Sequence, residues 1–292
     1  MEKWFAALVV LYLTSSSFAY AECLPGESYT LEQIASQNRA ILVGELHGTD
    51  EMPREFLRIV EQLSANADNI VIALEFRQPK LDAMFAARTA QEFRTKFDEF
   101  STGDGRTSEA MKAMLEGLWL LQQQQTTIKV FGVDFWLSDH PDDDLSIPEW
   151  IPDEVEAEKS IRDIRMGENT VAACHNNNCD LLFYYAGNFH TKIDIDIGGA
   201  LNATTGEITR FPVAPSGAII ARELATASIF LSHRGGDIAA NVDGRFGKAN
   251  RKSNTPDYVQ KDHVPYCMKE PKKLHEYILS VGKLSSSVDQ TE

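Results

Sequence analysis

Positive charge is scarce in this sequence: 28 Lys and Arg stand against 43 Asp and Glu, and the net charge is −15. Nucleic acid and anionic membrane are thereby excluded as partners, because phosphate binding needs clustered Lys and Arg. Long apolar runs are also lacking. The one near the amino terminus, Trp4 to Leu13, breaks at Thr14-Ser15-Ser16-Ser17, well short of the ~20 residues that span a bilayer. No membrane span is expected anywhere. There is no Cys-x-x-Cys-His, which excludes covalent haem attachment. There is no Gly-x-Ser-x-Gly elbow either, which argues against a serine hydrolase. No internal repeat is visible.

What the amino terminus does hold is a secretory signal: Lys3 for charge, the short apolar core, and Ala19-Tyr20-Ala21 as a small-x-small cleavage site. Residues 1–21 are therefore expected to be removed, and the protein to be secreted, into a periplasm. The four cysteines suit such an oxidising space. Of their three possible pairings, the short loop between Cys174 and Cys179 favours Cys174–Cys179 with Cys23–Cys267. A zinc site at Cys174, His175 and Cys179 is the rival, but it lacks the x-x spacing of zinc knuckles.

Apolar strand-like runs alternate with helical patterns, the signature of a mostly parallel sheet with helices on its faces. Strands are expected at 40–44, 70–75, 128–134 and 181–186, and helices at 53–64, 79–100, 108–125 and 153–173. Residues 22–282 thus read as one α/β domain with a helical insertion at about 79–125. Residues 137–152, with three prolines and an Asp142-Asp143-Asp144 run, read as a surface loop. In the carboxyl-terminal third, 208–213, 217–222 and 228–232 read as shorter, antiparallel edge strands. Residues 235–254 are polar and glycine-rich, and 283–292 read as a flexible tail.

Two Gly-x-x-His motifs, Gly44-Glu45-Leu46-His47 and Gly187-Asn188-Phe189-His190, fall where strand-like runs end. The spacing alone is weak evidence, since 18 glycines among 292 residues make one such coincidence ordinary. The strand-end context strengthens it, because ligands bind at the carboxyl ends of parallel strands. Glu75 and Asp134 also lie at strand ends, and a carboxylate there costs desolvation energy unless it is paired or liganded. His47, Glu75 and His190 are therefore expected to converge in one cleft. Two mechanisms fit this set. The three could hold zinc, manganese or iron with an open position for substrate. Alternatively, one histidine activates water, oriented by a carboxylate, while the other stabilises the oxyanion.

These residues carry a resemblance. Gly44 to Thr49, Leu74-Glu75-Phe76 and Gly187 to His190 resemble the erythromycin esterase/ChaN-like group, which includes the ChaN haem-uptake and Tiki/TraB proteins. The stretch from Arg162 to Asn169 is similar to the Arg-Asp-x-x-Met-x-x-Asn helix of ChaN-like members. The resemblance implies an α/β core with its site at the strand ends. Tiki-type proteases would assign His47, Glu75 and His190 to a divalent metal and peptide cleavage. Erythromycin esterases would assign Glu45 and His47 to hydrolysis without one. ChaN-type members imply haem binding without catalysis. The expectation is an exported hydrolase of an ester or amide, its substrate a small molecule or peptide. Glu45, His47, Glu75 and His190 are its catalytic residues, and Asp134 and Arg162 meet the substrate. A haem- or iron-binding carrier is the alternative.

Overall fold

A computed structural model describes residues 23–65, 67–100, 108–136, 146–155, 157–201, 208–242, 245–269 and 274–286. The signal-like residues 1–21 and most of the acidic loop lie outside the described residues. Seven helices are described: α1 Leu31–Gln37, α2 Glu51–Ser64, α3 Gln78–Phe85, α4 Ala90–Glu99, α5 Glu109–Gln124, α6 Ala157–Asn176 and α7 Ser216–Glu223. The strands are β1 Ala40–Glu45, β2 Ile70–Leu74, β3 Ile128–Gly132, β4 Leu181–Gly187, β5 Asp196–Leu201 and β6 Ile208–Val213, followed by β7 Thr226–Ser232, β8 Gly236–Val242, β9 Arg245–Arg251, β10 Pro265–Cys267 and β11 Tyr277–Ser280.

A seven-stranded sheet runs in the order β10-β11-β7-β1-β4-β2-β3. It is parallel throughout except where β10 pairs antiparallel with β11. Strands β1, β2 and β4 are buried along their whole length, which is why they read as unbroken apolar runs. Alternate residues serve opposite faces. Ile41, Val43, Ile72 and Phe183 pack with Phe56 and Ile59 of α2, Leu115 and Leu118 of α5, and side chains of α1, α3 and α4. Leu42, Ala73, Leu182 and Tyr184 pack instead on Val171 of α6 and Ile220 of α7. The expected α/β class, mostly parallel with antiparallel strands toward the carboxyl terminus, is what the structure has.

Several elements differ from expectation. Residues 217–222 form a helix, α7, not a strand; its short run of Ala and Ile is ambiguous by periodicity, and burying Ala218 to Ile220 favours the helix. Strand β7 is not an edge addition but lies inside the sheet, parallel to β1 and β11. The stretch 79–100 is two helices, the second capped by the Thr89 side chain. The polar segment after 235 holds an antiparallel pair, β8 and β9. The start of the expected tail is packed: Leu284 is buried and bridges Gly236, while Ser286 bridges Thr49. Both expected disulfides form, Cys23–Cys267 and Cys174–Cys179. They fit an oxidising compartment. Among the described residues, no helix is long and apolar enough to cross a membrane.

Candidate functional site

The ends of β1, β2, β3 and β4 converge. Register pairs Glu45 with Gly187, so the two Gly-x-x-His turns leave the sheet side by side. Neither glycine is incidental. A Cβ at Gly44 would meet Thr191 Oγ1 at 2.4 Å and Asn188 Oδ1 at 2.6 Å; one at Gly187 would meet His47 Nε2 at 3.3 Å and His190 Cδ2 at 3.5 Å. The turns also brace each other, since the Asn188 amide donates to the Glu45 carbonyl at 2.9 Å.

Glu75 stands between the histidines. Its Oε2 lies 3.7 Å from His47 Nε2 and accepts the Gly187 amide at 2.9 Å; its Oε1 lies 3.6 Å from His190 Nε2. The expected convergence of His47, Glu75 and His190 is therefore present. Each histidine carries a further carboxylate on its other nitrogen. His47 Nδ1 is 2.7 Å from Glu45 Oε1, and the Tyr185 hydroxyl donates to Glu45 Oε2 at 2.6 Å. Burial, reinforced by the Glu45 charge, raises the Tyr185 pKa well above its ordinary value, so that hydroxyl keeps its proton. His190 Nδ1 is 2.6 Å from Asp163 Oδ1, which also accepts the Ser216 hydroxyl at 2.9 Å and its amide at 3.0 Å.

Asp134 and Arg162 meet each other. Arg162, on α6, donates through Nε to Asp134 at 2.8 Å and through Nη2 to Glu75 at 2.8 Å, while its Nη1 lies 3.4 Å from His190 Nε2. Burial by itself would lower the guanidinium pKa, but the charges of Glu75 and Asp134 outweigh it and hold the pKa above its usual value. The other Asp134 oxygen accepts the Trp136 indole N–H at 2.9 Å. A cavity of ≈ 10 Å³ opens beside His47, lined by Glu45, Glu75, Phe76, Met111 and Tyr185. That is about the space one water needs.

Sequence reasoning passed over Asp163, Tyr185, Ser216 and His275. Asp163 stood beside Arg162 in the quoted motif, and its signal was there to be read. Tyr185 read as core, which it also is. His275 had no local signal: it lies far beyond the last helix and reaches the site through the fold alone. Its Nδ1 lies 2.8 Å from Ser228 Oγ, which donates to the Thr191 carbonyl at 2.6 Å, just after His190. Burial, helped by the Lys192 charge, lowers its pKa to about 3.

Fold and cluster together define an α/β protein with paired carboxylate–histidine units at the strand ends of a parallel sheet. No family model matches the sequence, and no curated protein matches it. Solved structures do. The chain superimposes on an erythromycin esterase, EreC, solved as a histidine-to-asparagine mutant in its open conformation, with TM-score 0.60 and 11% identity over 88% of this chain and 93% of that one. A protein described as a succinoglycan biosynthesis protein matches with TM-score 0.58 and 10% identity over 88% and 90% of the two chains. A Bacillus cereus protein matches with TM-score 0.57 and 14% identity over 93% and 97%. The chain shares the erythromycin esterase fold, as the resemblance implied.

Proposed function

We propose that this protein is a hydrolase of an ester or amide bond in which a histidine, not a metal, activates the attacking water. The observation that carries the reading is His47: its Nδ1 is bound to buried Glu45, and its ring borders a cavity of one water's size. An ionised carboxylate accepts only, so Glu45 keeps the imidazole proton on Nδ1 and makes Nε2 the basic nitrogen. His190, with Asp163 on its Nδ1, has the same tautomer, but its Nε2 is engaged. A guanidinium has no acceptor, so Arg162 Nη1, 3.4 Å away, donates to the His190 Nε2 lone pair.

In the proposed reaction His47 Nε2 takes a proton from water as the water oxygen bonds to the carbonyl carbon. The carbonyl electrons move onto oxygen, and the Arg162 guanidinium, braced by Glu75, Asp134 and His190, stabilises that negative charge. The intermediate then collapses, breaking the bond to the leaving group, which receives the proton from His47. General base catalysis of this kind contributes roughly 10²–10⁴-fold.

A divalent ion fits the donor set poorly. It would need Glu75 Oε1 and His190 Nε2, the two atoms that the Arg162 guanidinium already approaches, and would have to sit against that positive charge. Among the described residues, no three His, Cys, Asp or Glu are arranged to hold a metal. Haem asks for a mostly apolar slot with an axial ligand. Four carboxylates around histidines already engaged support that reading least.

The test is hydrolysis of an ester and amide panel by purified protein with and without chelator, in wild type and His47→Ala. Activity that survives chelation and vanishes in His47→Ala supports the proposal. Activity lost to chelator and restored by zinc or manganese would replace it with the metal mechanism.

A further inference from the structure

We propose that Trp136 is the substrate-binding wall of this site, selecting acyl groups that carry an apolar ring and no negative charge. The inference rests on the hydrolase reading and names the substrate class that the reading leaves open.

Trp136 is 47% exposed, one of four large apolar side chains so placed among the described residues. Unlike a ring left loose in water, it is fixed. Its indole N–H is bound to Asp134, a carboxylate whose side chain is only 4% exposed, and the Arg162 guanidinium carbon lies 5.9 Å from the ring centroid. The same carboxylate therefore sets both the group assigned to the oxyanion and the ring. A ring pre-set in this way loses little entropy when a ligand packs on it. A second aromatic stands nearby: Phe189 meets the His190 imidazole edge-on, with centroids 5.7 Å apart. Flat apolar faces therefore flank the polar cluster.

Charge narrows the class. Glu75 and Asp134 bind the Arg162 guanidinium, and Glu45 and Asp163 add two more carboxylates behind the histidines. The proposed mechanism assigns that one guanidinium to the reacting oxygen. Neighbouring cations are engaged elsewhere, Lys192 with Asp196 and Arg165 with Glu168. A permanent carboxylate on the substrate would meet repulsion and find no partner; a neutral or cationic group would not.

The experiment uses the full chain and 4-nitrophenyl esters, which share one leaving group: acetate, benzoate, pentanoate and hemisuccinate. Benzoate should exceed acetate in kcat/KM by about 10-fold once each is divided by its hydroxide rate, the size expected of one good aromatic contact. Hemisuccinate should fall at least ~10-fold below pentanoate at low salt, the gap narrowing as salt screens it. Trp136→Ala should raise KM for benzoate and erase its advantage while kcat holds within about threefold, and Trp136→Phe should keep most of it. An unchanged benzoate-to-acetate ratio in Trp136→Ala, or hemisuccinate equal to pentanoate, overturns the inference. Calorimetry with benzamide and benzoate ion separates the two proposals. Benzamide bound by wild type and His47→Ala but not by Trp136→Ala, with benzoate ion excluded, upholds the wall even if no ester is cleaved. Absence of benzamide binding overturns it.

Discussion

The two histidines are built alike and finish differently. Each has a carboxylate on Nδ1 and that carboxylate is itself held by a hydroxyl, Tyr185 behind Glu45 and Ser216 behind Asp163. Each turns Nε2 toward Glu75. Yet the His47 side chain is 30% exposed and borders the cavity, while His190 is 15% exposed and lies against Arg162. The same local device sits beside a small cavity at His47 and against a guanidinium at His190. In the proposed mechanism, what that nitrogen faces separates the base from the brace.

That contrast breaks most visibly by removing each ring. His47→Ala should lower kcat by the order of 10³-fold, and His190→Ala by about 10–100-fold, since only the first loses the base. Equal losses, read from steady-state kinetics beside unchanged far-UV spectra, would mean that the two act as one unit, as metal ligands do.

A subtler change leaves both rings in place. Glu45→Gln presents an amide that can donate to Nδ1 and so shift the proton to Nε2, which should cost about 10²-fold in kcat. Asp163→Asn should cost less, on the order of 10-fold, because Arg162 still points at Nε2 whatever sits on Nδ1. The reverse order would exchange the two roles.

Space sharpens the comparison next. Gly187→Ala sets a methyl group 3.3 Å from His47 Nε2, so kcat should drop by about 10-fold with little change in Tm. Gly44→Ala meets Thr191 and Asn188 much closer and should instead destabilise the fold, by about 1–3 kcal/mol in urea titration. One glycine guards the cavity and the other the backing of the turns.

A third histidine acts on stability and leaves the chemistry alone. In the folded protein the His275 pKa is about 3, below the ~6.5 of an unfolded histidine. Between those values only the unfolded chain binds the extra proton. Stability from this group is therefore complete above about pH 6.5, declines as pH falls toward 3, and changes no further below. Urea midpoints measured from about pH 7 down to about pH 4 should fall less steeply in His275→Gln than in wild type.

How much of this was legible follows from which interactions are local. Strands β1, β2 and β4 are buried on both faces, and their apolar runs announced them. His47, Glu75 and His190 were readable because strand ends and residues were adjacent in sequence. Strand β11, four residues long, and β10, three, carry too little pattern to stand out. Helix α7 reads as a strand because a run of Ala and Ile of this length suits either conformation until packing chooses. Strand β7 reads correctly as a strand but is placed at an edge, since its position in the sheet is set by distant pairing with β1 and β11. The clamp of Arg162 across Glu75 and Asp134 joins three separate elements, and only the folded chain brings them together. Its presence is also what turns a metal-like triad into a guanidinium-centred cluster.

The order of the sheet sets a schedule for the ribosome's product. Strand β1 takes its neighbours from β4 and β7, which begin only at Leu181 and Thr226, so the middle of the sheet waits for much later stretches of chain to be made. The bond between Cys23 and Cys267, 244 residues apart, closes later still. A nascent chain paused before β7 would hold β1 with one flank open, an unpaired edge of the kind that recruits other chains. Slow assembly through distant contacts is the expected kinetics. For anyone producing this protein, the hazard lies in the interval before its carboxyl-terminal strands arrive.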